Sequence, residues 1–307
     1  MALFRDIPAD RFRGGLALAL GNFDGVHLGH RALLAACKAQ AEALGVPAAA
    51  LTFEPHPRRF FAKASPPLRI FSTREKIAAL RACGMDHVIM LRFNASLAAT
   101  RAEDFVLRLL REALRAEHIF TGENFAFGKG RQGDSAMLKS LSAQHGYGYT
   151  ALESQRSANG EVISSSAIRA HLAAGELDEA TRLLGAPYRV CGHVQHGEKR
   201  GRQLGFPTLN LCMARRFLPR PGVYAAQVWL EGQRYHAIAN IGIKPSFGQF
   251  APRLEAHCFG LSHEVYGAPA EVTITRFLRD EKKFDSTQAL KQQIDADIRS
   301  LSPTERP

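Results

Sequence analysis

The chain has 307 residues, 46% hydrophobic and 22% charged, which suffices for two compact domains and excludes a disordered composition. No apolar run reaches the ~18 residues of a membrane span, and charges interrupt the opening MALFRDIPADRFRGG too often for a signal-peptide core, so a cytoplasmic location is expected. The net charge of +11 favours anionic partners, either nucleotide phosphates or nucleic acid, but no long Lys/Arg block or RNP-like aromatic strand accompanies it.

Strand and helix signals alternate over the first part of the chain. LALAL (16–20) is an apolar run ending at Gly21. A helix is predicted from about His30 to Leu44, with Leu33, Leu34, Cys37, Ala41 and Leu44 on one face and Gly45 as its stop. Ala48 to Phe53 reads as a strand. Ser72-Thr73-Arg74-Glu75 is a capping box that opens a helix closed by Gly84, and His87 to Phe93 is a strand. Thr100-Arg101-Ala102-Glu103 reads as a second capping box before FVLRLLREAL. His118 to Thr121 is a strand, Ser135 to His145 a helix and Tyr149 to Glu153 a strand. Such alternation predicts a parallel sheet with helices on both faces and ligands at the carboxyl ends of its strands. The five cysteines, Cys37, Cys83, Cys191, Cys212 and Cys258, are scattered without a CxxC, which predicts reduced, mostly buried thiols.

The character changes near Leu184-Gly185-Ala186-Pro187, which sets the expected domains at 1–184 and 185–307. Tyr224, Ala226, Val228 and Leu230 alternate on one strand; Tyr235, Ala237, Ala239 and Ile241 alternate on the return after Glu231-Gly232-Gln233. Leu254 to Leu261 and Glu271 to Leu278 are further strands. About six short strands predict a small antiparallel β-barrel. One helix follows, from about Ser286 to Leu301, with Leu290, Ile294, Ile298 and Leu301 as its buried stripe.

Gly21-Asn22-Phe23-Asp24-Gly25-Val26-His27-Leu28-Gly29-His30 joins the first apolar strand to its helix. Its glycines permit a tight turn and close ligand approach, and the helix N-terminus offers unpaired N–H groups beside His27 and His30. That makes a phosphate cradle with two imidazole donors. Taken alone, the two histidines fit a surface pair beside a turn equally well, and a zinc site needs further ligands that are not evident. The whole string resembles the phosphate-binding signature of the HxGH nucleotidylyltransferases, in the form carried by bacterial bifunctional riboflavin kinase/FMN adenylyltransferases. Thr52-Phe53-Glu54-Pro55-His56-Pro57, Gly122-Glu123-Asn124-Phe125-Ala126-Phe127-Gly128 and Ile163-Ser164-Ser165-Ser166-Ala167-Ile168-Arg169 are similar to that family's other strings. Asn124, Ala126 and Ser166 depart from its commoner Asp, Arg and Thr. The resemblance implies ATP contacts from Gly21, Asn22, Phe23, His27, Gly29 and His30, and pyrophosphate contacts from Ser164, Ser165 and Arg169. It places Pro55 and Asn124 on the FMN side. Gly128-Lys129-Gly130-Arg131-Gln132-Gly133 matches GxGxxG, but it does not join the first strand to a helix, so it reads as a flexible lid or flavin-side loop.

In the second half, Gly197-Glu198-Lys199-Arg200-Gly201-Arg202-Gln203-Leu204-Gly205-Phe206-Pro207-Thr208-Leu209-Asn210 combines glycines and cations before Pro-Thr-x-Asn. Thr208 and Asn210 face one way on an extended segment and are hard ligands suited to Mg²⁺; an ordinary basic hairpin loop is the other reading. The string resembles the riboflavin kinase motif, which implies ATP and Mg²⁺ binding by Gly201, Gly205, Thr208 and Asn210. In Leu254-Glu255-Ala256-His257 the resemblance makes Glu255 the catalytic base, although the position suits a solvent-facing strand residue as well. Arg279 of Leu278-Arg279-Asp280-Glu281 is placed near the flavin by the same resemblance.

The expected fold is therefore an N-terminal Rossmann-like nucleotidylyltransferase domain and a C-terminal six-stranded antiparallel β-barrel with a terminal helix. The implied activities are phosphorylation of riboflavin to FMN and adenylyl transfer from ATP to FMN, with Mg²⁺ as cofactor and riboflavin, FMN and ATP as partners. No nucleic acid or membrane partner is expected, and the chain is read as a monomer or weak homo-oligomer. The alternative is a nucleotidylyltransferase for another phosphate substrate fused to a nucleic-acid-binding β-barrel.

Overall fold

The computed structural model describes residues 2–5, 7, 12–62, 68–197, 205–246 and 249–305, with backbone alone at 244–246, 249–251 and 304. The chain forms two compact units, Met1–Pro67 with Phe71–Ser164, and Leu68–Ile70 with Ser165–Pro307.

The first unit begins with β1 (Ala2–Phe4), β2 (Leu16–Leu20), α1 (Leu28–Leu44), β3 (Ala48–Glu54) and the short α2 (Pro57–Phe61). Then come α3 (Thr73–Ala82), β4 (His87–Arg92), α4 (Ala95–Ala99), α5 (Ala102–Asp104), β5 (Ala116–Gly122), α6 (Ser135–His145) and β6 (Gly148–Leu152). The six strands lie in the order β1-β4-β3-β2-β5-β6, and every pairing is parallel. Leu16 to Leu20 are wholly buried because a central parallel strand is covered on both faces. The chain runs outward from β2 through β3 and β4, then returns to β5 on the other side of β2. That reversal is the topological switch point, where a crevice opens at the carboxyl edge.

Local chemistry explains most of these boundaries. Ser72 opens α3 with a complete capping box: its side chain accepts from Glu75 N, and Glu75 Oε2 accepts from Ser72 N at 2.7 Å. Gly45 and Gly146 close α1 and α6 in the left-handed conformation. The second expected capping box does not form. Thr100 ends α4, its hydroxyl donates to Ser96 O at 3.1 Å, and α5 starts without a side-chain cap. From α5 the chain runs on as a π-helix over Phe105–Ala113.

The GxGxxG match is a packing feature. A Cβ at Gly128 would lie 2.6 Å from Ala102 Cα, and one at Gly133 would lie 2.5 Å from Phe127 Cε2. Phe127 and Gly133 exchange both backbone hydrogen bonds, and Lys129 N donates to Thr100 O. Of the two expectations, a flexible lid or a flavin-side loop, the hydrogen bonds and close packing argue against the flexible lid.

The second unit contains α7 (Ser165–Ala174), α8 (Leu177–Leu184), β7 (Arg189–His193), β8 (Leu209–Cys212), β9 (Gly222–Leu230), β10 (Gln233–Ser246), β11 (Gln249–Cys258), β12 (Pro269–Arg279) and α9 (Thr287–Arg299). Its six strands are antiparallel in the order β7-β12-β9-β10-β11-β8. A bridge between Gln195 and Asn210 links the two edges and nearly closes the barrel. Tyr224, Ala226, Val228 and Leu230 are buried as the alternation predicts, with Ala237, Ala239 and Ile241 opposite them. On the outer face Ala225, Ile238 and Leu301 form a smaller cluster, against which Ile294 and Ile298 of α9 pack. All five cysteines are free, but only Cys37 and Cys258 are buried.

Replacing Gly128 by Ala imposes both a positive φ of 73° and a backbone clash, so it should destabilise the first unit by about 1–3 kcal/mol. Gly130→Ala has a similar φ of 62° but open space around it, so it should cost only ~1 kcal/mol. Denaturant unfolding of the two variants measures the difference.

Candidate active sites

The first site is built at the switch point. The loop after β2 turns through positive φ at Phe23 (49°), Gly25 (83°) and Val26 (41°). For a β-branched residue such as Val26 this is a strained conformation. Phe23 and Val26 are wholly buried, which holds the loop in that shape. The Phe23 ring covers Gly21, where a Cβ would lie 2.9 Å from Phe23 Cζ.

His27 is the N-cap of α1, and its Nδ1 accepts from His30 N at 3.3 Å. This fixes the tautomer: the proton of a neutral His27 sits on Nε2. The His27 and His30 rings stack at 3.7 Å, and Phe23 meets His30 edge-on at 5.3 Å. His30 Nδ1 is buried without a hydrogen-bond partner. Burial first, then the neighbouring His27 and Lys76 charges, push the His30 pKa well below 6.5. No acidic residue occupies the first turn of α1, so no carboxylate of that turn offsets the positive helix end.

Several expected residues gather here. Gly29 packs beside His27 and lies near the Ile163 carbonyl, where its Cβ would be 3.5 Å away; Ser164 is the next residue. Asn22 follows Gly21, Pro55 follows β3, and the exposed Asn124 follows β5 with its Nδ2 3.4 Å from Glu123 Oε1. Because the sheet is parallel, these loops leave it on one edge. Ser165 and Arg169 belong to α7 in the second compact unit. There Arg169 Nε donates to Leu68 O and Nη1 to Ser165 O, at 3.1 and 3.2 Å.

Two features at this edge escaped the sequence reading. Phe60 and Phe61 are 39% and 62% exposed, and they form an edge-to-face aromatic group with Phe93. Lys76, at 5% exposure, sends its Nζ to Asn22 O at 3.0 Å and Thr52 Oγ1 at 3.3 Å. The signal for Lys76 was present: it shares the buried stripe of α3 with Ala79 and Leu80, at i, i+3 and i+4.

The second site lies on the outer face of the barrel. Asn210 pairs with Glu255 across β8 and β11, and Glu255 pairs with Asn240 across β11 and β10. Directly opposed residues have Cβ atoms about 4.5–5.5 Å apart, so one carboxylate is flanked by two amides on one face. Leu254 and Ala256 fill the core from the other face of the strand. Asn240 Nδ2 donates to Glu281 Oε1 at 3.0 Å. His257, on the Glu255 face, hydrogen-bonds Pro207 O through Nδ1 at 2.8 Å and so ties the Pro-Thr segment to β11. Burial keeps that imidazole below its usual pKa, hence neutral and donating through Nδ1.

Asn210 is 5% exposed, and its Oδ1 is buried without a hydrogen-bond partner. Its Nδ2 lies 3.5 Å from Thr208 O. A Cβ at Gly197 would lie 2.5 Å from that amide nitrogen, so only glycine lets the chain approach it. A buried, unclaimed amide oxygen beside a half-buried threonine fits a hard cation. Gly205 adopts a φ of 88° in open space, and Gly201 lies outside the described residues. Arg279 Nε and Nη2 grip Asp297 of α9 at 2.8–3.1 Å, and Nη1 donates to Asp280 O.

The family described as FAD synthetase matches residues 10–167, and that described as riboflavin kinase matches residues 184–303. A Haemophilus influenzae protein named bifunctional riboflavin kinase/FMN adenylyltransferase is 39% identical over 302 residues, 97% of this chain and 97% of that one. An Escherichia coli K12 protein of the same name is 38% identical over 285 residues, 92% of this chain and 90% of that one. A crystal structure from Streptococcus pneumoniae, named a macrolide-efflux protein, has a TM-score of 0.84 and 29% identity, covering 98% of this chain and 99% of that one. The likeness is one of fold; among the described residues no helix is long and apolar enough to cross a membrane.

A histidine held neutral by the fold is protonated first in the unfolded chain. Stability of the first unit should therefore fall as pH drops below about 6.5, until the folded His30 itself takes up a proton. An NMR titration should find His30 still mostly neutral at about pH 6, where an ordinary imidazole is mostly charged. His30→Gln should flatten part of the acid-side loss of stability.

Proposed function

The chain belongs to the bifunctional riboflavin kinase/FMN adenylyltransferase family, and we propose that residues 185–307 phosphorylate riboflavin while residues 1–184 adenylylate the FMN formed. The observation that carries the reading is the juxtaposition of Glu255 with Asn210, far apart in sequence and directly opposed in the barrel.

In the kinase, Glu255 takes the proton of the terminal ribityl hydroxyl as its oxygen attacks the γ-phosphorus of ATP, and ADP leaves. Thr208 and Asn210 would hold Mg²⁺, which supplies charge neutralisation of the phosphates. The orphaned Asn210 Oδ1 supports that assignment. Gly201 and Gly205 would bind the ATP phosphates. Arg279, oriented by Asp297, stands at the flavin end.

Adenylyl transfer needs no enzyme nucleophile. The FMN phosphate attacks the α-phosphorus of ATP, the bond to the β,γ-phosphates breaks, and pyrophosphate leaves. The protein aligns the two phosphates and stabilises their charge. His27 donates through Nε2, and His30 offers the second ring. The backbone of Gly21, Asn22, Phe23 and Gly29 lies against the nucleotide, and Ser164, Ser165 and Arg169 bind the pyrophosphate. Pro55 and Asn124 face FMN, and the exposed Phe60–Phe61 surface suits a planar flavin ring. A cytoplasmic location and small-molecule partners complete the proposal.

Glu255→Gln should abolish FMN formation from riboflavin yet leave FMN-to-FAD conversion intact. His30→Ala should lower FAD formation by ~10²-fold and spare the kinase. Chromatography of riboflavin, FMN and FAD after incubation with Mg-ATP reads both; loss of both activities in either variant would refute separate sites.

A further inference from the structure

Burying a lysine is costly unless its ammonium is engaged, and an apolar residue at position 76 would complete the stripe of α3 with Ala79 and Leu80 at no such cost. The retained ammonium therefore points to a use. Its acceptors include the carbonyl of Asn22, inside the phosphate-binding loop, and the hydroxyl of Thr52, near the end of β3. Thr52 Oγ1 also donates to Asn22 O at 3.1 Å, so two donors converge on one loop carbonyl. The loop so held is the strained one, with positive φ at Phe23 and Val26.

We propose that Lys76 is a positioning residue for adenylyl transfer, whose buried ammonium fixes the loop bearing His27 and His30 and acts on the His30 ring through its charge. The inference rests on the reading that this loop takes the phosphates of ATP. The Lys76 charge lowers the His30 pKa, after burial and His27. The carboxylates of the packed elements are Asp24, which accepts from Phe71 N, Glu54, which accepts from Thr73 Oγ1, and Glu75, which accepts from Ser72 N. Lys76 thus adds to the burial that keeps His30 uncharged, and it holds the loop that carries the ring. A misplacement of about 1 Å at such a site costs up to ~10²-fold in rate.

The test compares the full-length wild type with Lys76→Met and Lys76→Arg, measuring FAD formation from FMN and Mg-ATP and the titration of the His30 ring by NMR. Lys76→Met should lower kcat for FAD formation by ~10-fold or more. It should also move the His30 midpoint upward, whereas Lys76→Arg keeps the low midpoint and recovers part of the rate. Riboflavin phosphorylation by the same samples should not change. If Lys76→Met does not fold, Thr52→Val removes one acceptor at similar volume and should lower FAD formation severalfold. A His30 midpoint that is the same in all three proteins, or full FAD formation by Lys76→Met or Thr52→Val, overturns the inference alone. A wild type that makes no FAD overturns the reading beneath it as well.

Discussion

Parallel pairing of β2 with β3 and β5 makes all three strands leave the sheet on one edge, and the first site depends on that constraint. Strand ends at such an edge lose their ladder partners, so their backbone groups must be satisfied by something else. After β2 the chain must turn within a few residues to reach α1. It does so through left-handed backbone at three positions. The Asn22 carbonyl is exposed by that turn and is taken by Lys76 and Thr52. What holds the turn also sets its electrostatics: a helix N-terminus with no acidic residue in its first turn, a His27 with a fixed tautomer and a neutral His30.

The barrel reaches its site by a different constraint. Antiparallel register places residues opposite one another in rows, and the inner row is committed to packing. Chemistry is left to the outer face, where Asn210, Glu255 and Asn240 fall in one line across three strands. Part of that face is covered by α9, which is anchored by Asp297 on Arg279. A residue paired in this way can serve a ligand only with its orientation already set, which lowers the entropy cost of binding.

Elements with strong periodicity and their own end signals were legible from sequence. The helix at Ser135–His145, the capping box at Ser72 and the alternating strands β9 and β10 stand where the pattern puts them. Thr100 failed because a hydroxyl before an acidic residue reads the same whether it starts one helix or ends another. The π-helix was invisible because its hydrophobic positions suit an α-helix equally well. β1 is too short, at three residues, to show a period. In the sites, the histidine loop was legible as a string, but the meeting of Glu255 with Asn210 depends on register, which no local pattern states. Lys76 and Asp297 were missed for a shared reason. Each is a charge on a helix's buried side, and composition assigns such residues to the surface before packing is known.

Net positive charge explains neither site by itself. On the proposed reading both hold a polyphosphate, and they do so with different resources. At the loop after β2 the positive potential is built in, from a helix end and a buried ammonium, and His30 remains neutral. On the barrel the row itself is a carboxylate and amides, with an unclaimed amide oxygen at Asn210, and Arg253 shares the outer face of β11 with Glu255. The carboxylate of such a row repels phosphate, which a cation arriving with the nucleotide would offset. Metal dependence should accordingly be steeper for phosphorylation than for adenylylation, because among the described residues the loop after β2 is held by a buried ammonium and the Asn210–Glu255–Asn240 row contains none.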